Sequence, residues 1–86
     1  MAAMNRLAAE GTIRRQGMTI YQYGTHILVD QSGRTRYALR SDQIDLNNYV
    51  DQHVRVSGTL VPGYPVDLGP DYLEVEDVQI PPSQGL

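Results

Sequence analysis

Apolar residues recur at every second position in three stretches of the chain. Val54 and Val56 alternate with His53, Arg55 and Ser57; Tyr37 and Leu39 alternate with Arg36, Ala38 and Arg40; Leu73 and Val75 alternate with Tyr72, Glu74 and Glu76. A period of two turns one face of a β-strand inward and the other outward. Val78 and Ile80 have the opposite parity to Leu73 and Val75, and the switch falls at Glu76-Asp77. A β-bulge there would return both pairs to the core. Gln31-Ser32-Gly33-Arg34 separates Ile27–Asp30 from Thr35–Arg40. It predicts a short hairpin in which Gly33 supplies a positive φ.

Other segments break the alternation. In Asp42–Gln52, Ile44, Leu46, Tyr49 and Val50 fall on roughly one helical face, and Asp42 and Asp45 suit a helix cap. This predicts one or two helical turns over about 44–51, with Tyr49 sealing the bottom of a barrel. Val61–Asp71 holds three prolines and two glycines and reads as a long loop. Residues 1–9 form an N-terminal extension whose alanines and Leu7 favour a short helix, and residues 81–86 form a tail. The predicted strands then cover about 10–16, 19–30 with a kink at Gly24, 34–40, 53–61 and 71–80.

Strand, strand, strand, short helix, strand, strand is the order of an OB-fold, a five-stranded Greek-key barrel. The chain resembles the small bacterial OB-fold domains from Glu10 to Ile80. The residues that carry the resemblance are Gly11-Thr12-Ile13, Ile27-Leu28-Val29-Asp30 with the Gln31-Ser32-Gly33 turn, Tyr37-Ala38-Leu39, Leu46 with Tyr49-Val50, Val54-Arg55-Val56-Ser57-Gly58, and Leu73-Glu74-Val75 with Val78. The expected class is all-β, with one short helix between strands three and four; that helix favours OB over an SH3-like barrel. The resemblance implies a ligand surface on strands two and three and the loops beside them. It does not imply one ligand, because OB barrels serve nucleic acids, sugars, proteins and scaffolding.

At 86 residues the chain is one domain, with residues 10–80 as the barrel. It has no cysteine, so disulfides and thiolate metal sites are ruled out, and a reducing, cytoplasmic setting fits. An exported domain that had shed its leader would carry the same sequence. The longest aliphatic run, Ile27-Leu28-Val29, is far below the ~20 residues of a membrane helix, and no membrane association is expected. Net charge is −3. Residues 1–40 carry six arginines and two acids, a net +4, whereas residues 41–86 carry one arginine and eight acids, a net −7. All seven cations are arginine, whose planar fork suits carboxylates, phosphates and aromatic faces.

Chemistry is sparse. The serines lack a nucleophile-elbow motif, and His26 and His53 have no third ligand at metal spacing. No catalytic residue, metal or cofactor is therefore expected. Two binding surfaces stand out. The first is a ligand face of arginines and aromatics: Arg14, Arg15, Arg34, Arg36 and Arg40 with Tyr21, Tyr23 and His26. Strict alternation places Arg34, Arg36, Ala38 and Arg40 together on the outer side of the third strand. Such a face can bind single-stranded nucleic acid, arginine following phosphates and rings stacking on bases. His26, beside Gly24, is expected to brace the kink by hydrogen bonds, and most tyrosines to fill the core of a chain with no Phe or Trp. The second surface is the proline-stiffened loop with Tyr64, Val66 and Leu68, next to Asp67 and Asp71, whose charge disfavours a nucleic-acid backbone. Together with the split charge it favours a protein partner or a second copy of the chain. Single-stranded nucleic acid is the alternative, ahead of a small anion or an oligosaccharide.

Overall fold

A computed structural model describes residues 6–17, 23–63 and 69–81. Five strands make up the fold: β1 (Arg6–Arg15), β2 (His26–Val29), β3 (Thr35–Arg40), β4 (His53–Leu60) and β5 (Asp71–Gln79). They close into a barrel in the order β1-β2-β3-β5-β4, with β1 returning to β4. All pairs are antiparallel except β3 with β5. A parallel pair cannot be joined by a hairpin; here the connection from β3 to β5 is all of β4 and its flanking loops. The result is the expected all-β, closed five-stranded barrel, compatible with an OB-like fold.

Leu39, Val54, Val56, Leu73 and Val75 point inward as the alternation predicts. With Ile13 and Leu28 they are fully buried, and each contributes about 1.5–3 kcal/mol by leaving water. Leu46 joins them from a single 3-10 turn, Leu46–Tyr49, with Ile44, Tyr49 and Val50 packed alongside. Asp45 caps the turn, its carboxylate accepting from the Asn47 N–H at 3.0 Å. The expected α-helical turns over 44–51 are thus replaced by a shorter, tighter element. Its end is pinned to β1, where the Ile13 carbonyl accepts from the Asp51 N–H and the Gln52 carbonyl from the Ile13 N–H.

β1 starts at Arg6, and residues 6–12 pair with β4. Leu7, Ala8 and Ala9 are therefore strand, not helix. Helix propensity yields here to the long register with Thr59–His53, because strand pairing satisfies every second backbone group. At Thr12 the strand hands over from β4 to β2. The described part of the second strand is shorter than the expected 19–30. Gly24 does take φ 91°, and a Cβ there would sit 3.1 Å from that of Ala38, so the kink excludes other residues.

Two bulges set which side chains face out. In β5 the register skips Glu76, with Ser57 opposite Asp77 and Gly58 opposite Val75. Val78 then turns back to the core as expected, but Ile80 does not and is 64% exposed. Gly58 makes this possible: a Cβ there would lie 1.9 Å from the Glu74 carbonyl oxygen. The second bulge is absent from the sequence reading. Leu28 pairs with Tyr37 but Val29 with Thr35, which leaves Arg36 as the extra residue.

Candidate docking face

The arginine–aromatic face of the sequence reading divides in two. Tyr23 is buried, and its hydroxyl donates to the Pro70 carbonyl at 2.6 Å. Its ring lies 5.1 Å from that of Tyr72, tilted by 44°. Together they cover Ala38, which points out of the barrel and yet is fully buried, with Val61 at the margin. Arg40 closes this cover, its guanidinium 5.3 Å from the Tyr72 ring centre and bonded to Glu74. The bond to Glu74 raises the Arg40 pKa further. The expectation that Ala38 shares an open arginine face is therefore corrected. The outer side of β3 and β5 is a second, small core, and Tyr23 cannot offer its ring to a base there.

His26 is buried, and both ring nitrogens are engaged. Nδ1 lies 2.8 Å from the Thr25 hydroxyl, and Nε2 donates to the Asn47 side-chain oxygen at 2.9 Å. It braces β2 against the 3-10 turn, at the wall of a depression of about 260 Å³. The β2–β3 turn is held by Asp30, whose carboxylate accepts from the Ser32 hydroxyl, the Ser32 N–H and the Arg34 N–H at 2.6, 2.9 and 3.0 Å. The Ser32 hydroxyl and the Arg34 N–H hold the Asp30 pKa below its ordinary value. Gly33 has the expected positive φ of 87°.

The other flank of the barrel stays open. Ile27 and Val29 point outward from β2, only half buried, because Leu28 between them occupies the core. Arg14 lies opposite Ile27 in the register, and Thr35 opposite Val29. With Arg15 and Gly33 these residues line a shallow depression of about 410 Å³. In sequence, Ile27-Leu28-Val29 reads only as a sign of the fold. Yet three successive apolar residues on a strand necessarily put apolar surface on both sides of the sheet, and that was the available signal for this flank.

Ion pairing determines which cations remain for a ligand. Arg6 pairs with Glu76, Arg14 with Asp51 at 3.6 Å, Arg40 with Glu74, and Arg36 with Asp30 at 3.7 Å. Three of these join an arginine of the basic half to an acid of the acidic half. The barrel thus interleaves the two poles of the sequence. Among the described residues Arg15, Arg34 and Arg55 have no acidic partner. Arg15 lies at the depression and Arg34 in the turn beside it. Tyr21, Tyr64, Val66 and Leu68 lie outside the described residues.

Elsewhere, His53 Nε2 approaches Glu10 at 3.8 Å beside the Asp30 turn, lining a depression of about 420 Å³. Asp30 is committed to the turn, and among the described residues no three metal-ligating side chains converge. No described helix is long and apolar enough to cross a membrane. Comparison with family models, curated proteins and solved structures found no match to this chain.

Proposed function

We propose that this barrel is a non-enzymatic binding module that docks a protein segment on the outer flank of β1, β2 and β3. The observation that carries the reading is the half-buried pair Ile27 and Val29 beside Arg14 and Arg15 in an open depression. An aliphatic anchor flanked by cations suits an extended segment that combines a small apolar side chain with acidic neighbours. Apolar contact would supply the affinity and the arginines the orientation. Arg14 is already partnered by Asp51 at 3.6 Å, with both side chains more than half exposed. Such a pair is worth about 0–1 kcal/mol, so an incoming carboxylate can exchange with Asp51 at little cost.

Single-stranded nucleic acid is the second reading, favoured by unpaired Arg15 and Arg34. Against it, Tyr23 and Tyr72 are buried with Ala38, and Tyr37 and Tyr49 pack against the barrel core. A display selection of random peptides on the intact chain, run alongside titration with a fifteen-nucleotide oligothymidine, separates the two. The reading expects enrichment of acidic–aliphatic peptides whose binding is lost in the Ile27→Ser/Val29→Ser double variant. Peptides that bind this variant as well as the parent would overturn it. So would oligothymidine binding with a steep salt slope that Ile27→Ser/Val29→Ser leaves intact and Arg15→Ala abolishes.

A further inference from the structure

The closed barrel still has an open backbone edge. β1 pairs with β4 over Arg6–Thr12, but with β2 only from Thr12 onward. Among the described residues, the β2-side edge of Arg6–Gly11 pairs with no strand. An edge of this kind is a template for another strand. Proteins usually blunt such edges with proline, a bulge or charged side chains, lysine above all; Arg6-Leu7-Ala8-Ala9-Glu10 has no proline, lysine or bulge, and its two charges are opposite in sign.

Its sequence is self-complementary in the antiparallel sense. Arg6, Ala8 and Glu10 share the exposed side of the strand, and Leu7 and Ala9 the half-buried side. If Ala8 sits on a two-fold axis, Arg6 falls opposite Glu10 of the partner subunit, and Leu7 opposite Ala9 of the partner subunit. Opposite charges meet twice, the residue at the axis is small, and two partly buried apolar positions gain further cover. We infer that the chain self-associates by antiparallel pairing of this β1 edge with the same edge of a second copy, a closed two-fold contact.

The other open edge supplies a contrast. Beyond Glu74, β5 pairs only with β4, and this part of the strand carries Glu76, Asp77 and the bulge at Glu76. Like charges and a bulge both oppose strand addition. Arg6 remains available for the two-fold contact although Glu76 holds one of its nitrogens, since a guanidinium carries five donors in a fork.

The inference does not rest on the docking flank, which is a different surface. Five paired residues bury well under the ~1,200 Å² of a standard interface, so the dimer is weak and calls for sedimentation equilibrium up to millimolar concentration. The intact chain is expected to fit a monomer–dimer equilibrium. Ala8→Lys sets two ammonium groups face to face at an exposed position, and should weaken the dimer at least about tenfold with an unchanged melting temperature. Arg6→Glu and Glu10→Arg should each weaken it, and the double swap should restore it, a rescue that mere destabilisation would not produce. A monomer at every concentration, or a dimer indifferent to Ala8→Lys, would overturn the inference. Open-ended growth with concentration would also overturn it, because that is the mark of β1 pairing with the β5 edge.

Discussion

The two outer flanks of the barrel share β3 but are finished differently. Over β3 and β5, two tyrosines and an arginine cover Ala38 completely. Over β1, β2 and β3, Ile27 and Val29 are only partly buried beside Arg14 and Arg15. The difference is one of size and reach. A tyrosine buries a broad ring and still needs a partner for its hydroxyl, and Pro70 provides one to Tyr23. Two β-branched side chains on the short strand β2 have no such cover. Among the described residues Tyr23 and Tyr72 therefore build structure, and the open flank is lined by aliphatics and cations.

The sharpest way to break this contrast is to place a charge under the tyrosine cover. Ala38→Glu would strand a carboxylate where there is no exposure at all, and should cost about 3 kcal/mol or more in chemical denaturation. A glutamate in place of Val29, on the open flank, should cost well under half of that. Next comes Tyr72→Ala, which removes the ring beneath both Tyr23 and Arg40; a loss of about 2–3 kcal/mol is expected, short of the ~3–5 of a fully enclosed aromatic. Tyr23→Phe isolates the hydroxyl and should lower stability by about 1 kcal/mol. The Ile27→Ser/Val29→Ser pair should cost a similar amount in stability while removing peptide binding. Equal stability losses on the two flanks would erase the distinction.

The smallest effect is acidic. The Asp30 pKa is depressed in the fold from its ordinary value of 3.8. Its contribution is therefore complete above that value and is lost as the pH falls through the folded pKa. Protection of the Ser32 and Arg34 amides, taken relative to free-peptide exchange at each pH, should fall once the pH drops below the ordinary carboxylate value of 3.8, and Asp30→Asn should leave protection low at every pH. Unchanged protection at low pH would show that the turn does not depend on the carboxylate.

Much of the barrel was legible because alternation and turn chemistry are local. Val54, Val56, Leu73 and Val75 announce their face within a few residues, and the switch of parity before Val78 foretells the bulge at Glu76. The bulge at Arg36 was not legible. It depends on how β3 meets β2, which no local pattern within β3 records. Burial of Ala38 was hidden for the same reason: its cover comes from Tyr23 and Tyr72, distant in sequence. At the N-terminus the alanines favoured helix, and only the partner strand β4 decides otherwise. The separation of charge along the chain proved a poor guide to the surface, since Arg6–Glu76, Arg14–Asp51 and Arg40–Glu74 fold the two halves together. On the docking flank the arginines were legible, but Ile27, Val29 and Thr35 were not.

Backbone amide shift mapping tests the division of the surface most directly. A selected acidic–aliphatic peptide should be titrated into the isotope-labelled chain and the perturbed residues located. The account predicts perturbations centred on Arg14, Ile27, Val29 and Thr35, with Ala38, Tyr72 and Leu73 silent. Perturbations centred on Tyr23, Ala38 and Tyr72, with Ile27 and Val29 unchanged, would contradict it.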